Sequence, residues 1–277
     1  MIFSIIIIVL FGVAIGSFIN VVADRYNTGL AWWKGKSFCF SCNTRLKFND
    51  LFPILSFLFL KGKCRYCGSK IPISAFVVEL IMGILSLLAA FKVGFFDFSI
   101  SVIHNSYFII HILPNYLLLT SIFALILLIS VYDLRHFIIP DSFLLILFVL
   151  ALLYNSLFII HYSIFYLSIL PSFLSAIMLA LPFLILFLIS RGRWLGLGDV
   201  KYIAVLGALL GLVAGVSAVI LAFWIGAAYA LLALFVFKKN LTMKSEVPFG
   251  PFLSLGAILG FCFNIDLFHL HDLFQIF

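Results

Sequence analysis

The sequence predicts an all-α, polytopic membrane protein of about eight transmembrane helices with one small polar, zinc-binding insert, and three observations carry that prediction. The chain is 65% hydrophobic and 10% charged, with mean hydropathy +1.31, whereas a soluble domain holds roughly 45–50% apolar residues. Its apolar residues come in long uncharged runs, close to the about 20 residues that cross a hydrocarbon core. The basic residues fall almost entirely in alternate gaps between those runs.

Single spans are expected at 2–22, 74–91, 112–132, 143–160, 167–190 and 248–265. The first could pass for the apolar core of a signal peptide. It lacks a basic segment ahead of it and runs on to Val22 without an Ala-x-Ala-like site, so it reads as a span. The uncharged stretch 202–237 would be roughly 54 Å as one helix against a ~30 Å core. It therefore divides into two spans that turn near Gly211 to Gly215, for a total of eight.

Charge tests that count. With the N-terminus outside, the inside segments 24–71, 133–142, 191–201 and 238–247 hold 16 of the 17 Lys and Arg, and Lys92 alone is outside. This is the asymmetry of the positive-inside rule. It supports splitting 202–237, because a single crossing would put Lys238, Lys239 and Lys244 outside. The net charge of +7 and pI near 9.2 thus point to anionic lipid at cytoplasmic loops, not to nucleic acid.

The insert, 24–71, contains four of the five cysteines as Cys39-x2-Cys42 and Cys64-x2-Cys67. Two CxxC knuckles supply four thiolates for a tetrahedral zinc ion, which can fold a module too small to build its own core. Disulfides are disfavoured on a reducing cytoplasmic face, and a redox CxxC needs no duplicate. Cys262 lies in the last span and reads as a small core residue. Residues 51–60, Leu-Phe-Pro-Ile-Leu-Ser-Phe-Leu-Phe-Leu, are too few to span and too apolar for a free loop. They are expected to lie at the membrane interface or to pack on the helix bundle.

Two acids stand where an uncharged run meets a short polar turn: Asp133 in Tyr-Asp-Leu-Arg and Asp199 in Gly196-Leu197-Gly198-Asp199. A carboxyl at that depth is expensive unless it has a partner or a task. Asp133 could be a helix-end acid paired with Arg135. Alternatively the two could sit together and share one proton, the equipment of an aspartyl protease. Gly196 and Gly198 permit a close backbone approach beside Asp199. Asp141, after Pro140, reads as the cap of the next helix. Glu79, about one turn into the second span, is either a structural acid or a contributor to the cytoplasmic site. His136 reads as an interfacial residue; His104, His111, His161, His269 and His271 fall outside or at span ends on that side and carry no expected chemistry.

Taken in order, these residues resemble the type IV prepilin peptidases, the bifunctional leader peptidases and N-methyltransferases of bacterial inner membranes. The opening Gly16-Ser17-Phe18-Ile19-Asn20-Val21-Val22 is similar to the family's first-helix signature. The block 38–72 resembles its cytoplasmic zinc region, and Val78-Glu79-Leu80 the start of its second helix. The segment 133–141 resembles the first catalytic motif, 196–201, ending in Lys201, the GxGD box, and Pro248-Phe249-Gly250-Pro251-Phe252 the opening of the last helix.

The resemblance implies that Asp133 and Asp199 are catalytic, with Gly196, Gly198, Lys201, Asp141 and Glu79 in support. It implies prepilin or pseudopilin substrates cut after a glycine, S-adenosylmethionine as methyl donor, and an active site at the cytoplasmic face of the inner membrane. The expected division is a first helix (1–23), a tetracysteine insert (24–71) and a peptidase bundle (72–277). The chain departs from the family's usual prolines after Arg25 and between Cys39 and Cys42, and has Ala75-Phe76-Val77 where Arg-Tyr-Pro is more typical; these changes touch the methyltransferase side. A cleavage-only, preflagellin-type peptidase would share the aspartates but usually lacks the cysteine insert. A zinc-anchored scaffold or transporter would need neither the glycines nor an acid pair.

Overall fold

The computed structural model describes residues 2–29, 31, 37–96, 112–159, 166–235, 247–263 and 267. His104, His111, His161, His269 and His271, with Lys34, Lys36, Lys238, Lys239 and Lys244, lie outside the described residues. The helices are α1 (Ile2–Arg25), α2 (Leu55–Phe59), α3 (Ile73–Lys92), α4 (Leu113–His136), α5 (Asp141–Ile159), α6 (Tyr166–Ser190), α7 (Leu197–Leu210), α8 (Leu212–Phe235) and α9 (Gly250–Phe263). Among the described residues, eight helices other than the five-residue α2 fall in the runs expected to span, and there is no strand beyond two isolated bridges.

Five of the helices, α1, α3, α4, α6 and α8, are long and apolar enough to cross a membrane by length and composition; α5 and α9 are shorter apolar helices. The 202–237 run does divide, at Gly211, where φ of +78° ends α7. Glycine adopts this backbone without the Cβ penalty other residues meet. Fourteen residues make α7 about 21 Å long, short of a ~30 Å core.

The chain forms two compact units, Met1–Val131 and Tyr132–Phe277. In the first, α1 packs on α3 through small residues four apart: a Cβ at Gly16 would lie 2.7 Å from the Glu79 Cα, and one at Gly12 would strike the Ser86 Cβ. Between apolar helices in lipid, such close approach supplies dispersion that the hydrophobic effect cannot. Polar bonds fix the register. Asn20 Nδ2 donates to the Ala75 carbonyl at 3.1 Å, and Ser86 Oγ donates to the Ile8 carbonyl at 3.0 Å while bonding Tyr116 Oη on α4 at 2.7 Å.

The 51–60 segment packs on α3 through one of its faces. Ile54 has φ +60° and ψ −54°, a region that costs a non-glycine residue about 1–3 kcal/mol. Its N–H donates to Glu79 Oε2 at 2.7 Å, and the Phe57 ring stacks on Phe76 of α3 with centroids 5.0 Å apart. Glu79 thus ties the insert to α3 through its carboxylate. It is the seventh residue of α3, deeper than the single turn expected.

In the second unit, α6 and α5 pack against α7, and α8 against α9. Asn155 on α5 donates to Ser172 Oγ at 3.0 Å and to the Ala208 carbonyl at 2.8 Å, joining three helices with one amide. Gly256 of α9 sits directly on the Ala218 carbonyl of α8, leaving no room for a Cβ. Cys262 is a half-buried residue of α9.

Candidate active site and metal centre

The two CxxC segments are copies of one turn. Cys39 N–H donates to the Thr44 carbonyl and Asn43 N–H to the Cys39 carbonyl; Cys64 and Gly68 repeat this with Ser69 and Cys64. Both turns close with an antiparallel bridge in the same register, Phe38 with Arg45 and Lys63 with Lys70. The residue after the second cysteine is left-handed in each, Asn43 at φ +54° and Gly68 at φ +71°. These are the two residue types that tolerate that conformation best.

The pairing brings Cys39, Cys42, Cys64 and Cys67 together with all four sulfurs within 4.8 Å of one another. Cys39 Sγ and Cys67 Sγ are 3.8 Å apart, the edge of a tetrahedron with metal–sulfur bonds of about 2.3 Å. The cluster can bind a metal ion. The N–H groups of Cys42 and Ser41 and the Ser69 hydroxyl hold the Cys39 thiol down at about 6, and Ser69 lowers Cys67, while Cys64 is raised, so the turns favour the thiolate at two of the four positions. Beside them Asp50 anchors the module, bonded to Tyr66 Oη at 2.8 Å and to Arg65 Nε at 2.7 Å. Burial works to raise the Asp50 carboxyl, but these partners and the Lys47 N–H outweigh it and hold it below its ordinary value.

In the second unit, Asp133 stands at the C-terminal end of α4. The helix stops because Phe137 turns left-handed (φ +56°) and returns its N–H to the Asp133 carbonyl at 2.8 Å. The Asp133 side chain is buried, and its Oδ2 accepts the N–H of Gly250 at 3.0 Å. Gly250 is the first residue of α9, so the carboxylate meets the positive end of that helix. A Cβ on Gly250 would lie 2.7 Å from the same oxygen.

Asp199 is the third residue of α7, behind an extended Gly196. Burial first, then the charge of Asp133, pushes its carboxyl up to about 6, with the Gly196 N–H opposing them. The close approaches expected of the glycines are internal. A Cβ on Gly196 would lie 3.2 Å from Asp199 Oδ2, and one on Gly198 3.3 Å from the Cβ of buried Ile139. Ile139 belongs to the link that follows Asp133, so Gly198 seats the first turn of α7 against it.

Two further contacts pin α7. Lys201 Nζ bonds both carboxylate oxygens of Asp141, at 2.8 and 2.9 Å. Asp141 is thus the first residue of α5 and not its cap; the Pro140 carbonyl takes the first bond, from Leu144 N–H, and the Asp141 carboxylate serves the ion pair. On the other side fully buried Tyr202 donates its hydroxyl to Ser254 Oγ (2.7 Å), which donates to the Gly250 carbonyl (2.9 Å). The chain of bonds from Tyr202 to Asp133 passes through Gly250. His136 does no more than lie against the Tyr132 ring, 4.3 Å between centroids.

Sequence reasoning missed Gly250, Ser254, Tyr202 and Ile139 as parts of this site. The available signal was Pro248-Phe249-Gly250-Pro251, a helix start with glycine at its first turn, but nothing local says which carboxylate it meets.

Two regions of the chain match known protein families. The Bacterial Peptidase A24 N-terminal domain matches residues 10–93, and the Type IV leader peptidase family matches residues 119–231. The chain is 29% identical to the prepilin leader peptidase/N-methyltransferase of Bacillus subtilis over 93% of this chain and 94% of that protein. It is 27% identical to the Vibrio cholerae protein of the same name, over 91% and 94%. With the type 4 prepilin-like proteins leader peptide-processing enzyme of Escherichia coli it shares 28%, over 89% of each. No solved structure matches at the same stringency. Two family domains in consecutive order, relatives aligned nearly end to end, and an all-helical membrane chain with a four-cysteine cluster mark it as an enzyme similar to the type IV leader peptidases.

Proposed function

We propose that the enzyme is a membrane aspartyl endopeptidase that removes the short basic leader of type IV prepilins or pseudopilins and then methylates the new N-terminal residue. Cleavage would fall after a glycine, at the cytoplasmic face of the bacterial inner membrane, where the charge distribution puts the loops carrying both aspartates. The observation that carries this reading is the setting of two carboxyls on different helices: buried Asp133 accepts the Gly250 N–H at 3.0 Å, and the Asp199 carboxyl at the start of α7 is pushed up by burial and by the charge of Asp133.

Such a pair holds one proton between them. The ionised carboxylate takes a proton from water as its oxygen attacks the scissile carbonyl carbon, and the protonated carboxyl gives its proton to the carbonyl oxygen. Collapse of the tetrahedral intermediate breaks the C–N bond and passes a proton to the leaving amine. Gly250 orients Asp133; Gly196, Gly198, Lys201 and Asp141 hold Asp199 at the start of α7. The functional division we propose is a first helix (1–23), the insert (24–71) and a peptidase bundle (72–277).

Zinc is the metal the tetrathiolate set suits, and Cys39, Cys42, Cys64 and Cys67 would hold it as a closed structural site. Elemental analysis is expected to show about one zinc per chain, since such sites fold their modules. Metal-free protein purified without chelators, with disulfides in its place, would overturn that assignment. Cysteine-to-serine changes should damage methylation more than cleavage. The methyl donor implied is S-adenosylmethionine. The cavity beside the module, about 320 Å3 and lined by Asn49, Phe52, Leu55, Ser56, Phe59 and Arg65, is mostly apolar and has no carboxylate in its lining for a ribose. It does not fit that donor.

Incubating detergent-solubilised enzyme with a prepilin and labelled S-adenosylmethionine tests the whole reading. Both a mobility shift and incorporated label are expected. A shift without label would leave the cleavage-only, preflagellin-type enzyme, and neither would leave a scaffold or transporter.

A further inference from the structure

The insert carries an exposed apolar face that its own unit does not cover. Phe48, Phe52, Leu55, Leu58 and Phe59 are exposed, Phe59 by 82%. Around them Lys47, Lys61, Lys63 and Arg65 are also exposed, and residues 37–72 contain six Lys and Arg against the single acid Asp50. A soluble module would not keep so many large apolar side chains in water beside one another.

The position of this face says what meets it. Both ends of the insert run into candidate membrane spans, α1 before it and α3 after it. The Ile54 N–H bond reaches Glu79, the seventh residue of α3, which lies about 9 Å along the axis from the helix start. The Phe57–Phe76 stack is a second tie, to a residue one turn nearer the helix start. Thus α2 runs beside the first two turns of a spanning helix, at the level where headgroups give way to acyl chains, and its cationic edge complements anionic headgroups.

We propose that the 51–60 segment and its flanks form a lipid-docking surface: Phe52, Leu55, Leu58 and Phe59 enter the interfacial layer, and Lys47, Lys61, Lys63 and Arg65 engage anionic phospholipid. The strained turn at Ile54 and its bond to Glu79 hold the segment at that depth. Docking of this surface needs no catalytic turnover.

The test uses the full chain reconstituted in vesicles, with the photo-crosslinking residue benzoylphenylalanine in place of Phe59 or, as comparison, of exposed Ser41 on the first knuckle. Phospholipid adducts are expected at 59, several-fold more than at 41. In vesicles of phosphatidylglycerol and phosphatidylethanolamine, Lys61→Glu with Lys63→Glu should lower the yield several-fold; in pure phosphatidylcholine the change should have little effect. No lipid adduct at 59, or a dominant adduct to added prepilin, overturns the docking surface. A yield indifferent to charge in the anionic vesicles overturns the anionic-lipid preference. Asp133→Asn should give the wild-type adduct pattern, so a failure of the catalytic reading and a failure of this one are told apart.

Discussion

Asp199→Asn is expected to abolish leader cleavage while the protein still inserts and retains its metal. Asparagine keeps the size of the side chain and can still accept the Gly196 N–H that the carboxylate takes. It cannot cycle a proton, and general acid–base catalysis alone contributes about 10²–10⁴-fold. Asp133→Asn should do the same, because the amide oxygen can still take the Gly250 N–H that the carboxylate accepts at 3.0 Å. The measurement is conversion of prepilin to its mature length. Near wild-type processing by either variant would end the two-aspartate mechanism. Asp141→Asn should be far milder, since its partnership with Lys201 is an exposed ion pair, and such pairs contribute about 0–1 kcal/mol.

Gly250→Ala is expected to lower cleavage by on the order of 10²-fold, the scale on which an ångström of misplacement costs a reacting geometry. The added methyl would meet Asp133 Oδ2 at 2.7 Å, so either the carboxylate turns away or α9 shifts and the N–H bond is lost. The defect should appear in kcat more than in KM, with a displaced pH–rate profile, because the carboxylate's donor has changed. Gly256→Ala gives the contrast: it disturbs the α8–α9 contact at the Ala218 carbonyl and should reduce yield and thermal stability without moving the pH profile. If Gly250→Ala leaves rate and profile unchanged, Gly250 does not position Asp133.

The features legible in the sequence are those that local chemistry fixes. Uncharged runs bounded by basic loops gave eight helices because lipid demands continuous internal hydrogen bonding. The break at Gly211 followed from length alone: 36 residues exceed one bilayer crossing. The cysteine spacing announced a four-cysteine cluster because each knuckle is a closed local turn, repeated with the same bonds. Asp133 and Asp199 stood out because a carboxyl between apolar runs needs a reason to be there.

What the sequence left open was partnership across the fold. Asp133 had Arg135 as its obvious neighbour, yet its Oδ2 is bonded by the N–H of a residue 117 positions away. Asp141 had the features of a cap and spends its carboxylate on Lys201, 60 positions on. Ile54 gives no local sign of its left-handed backbone, which exists because Glu79 receives its N–H. Periodicity and spacing report a residue's own helix, turn or depth. Which donor meets which carboxylate depends on how separate helices pack, and only the tertiary structure decides it.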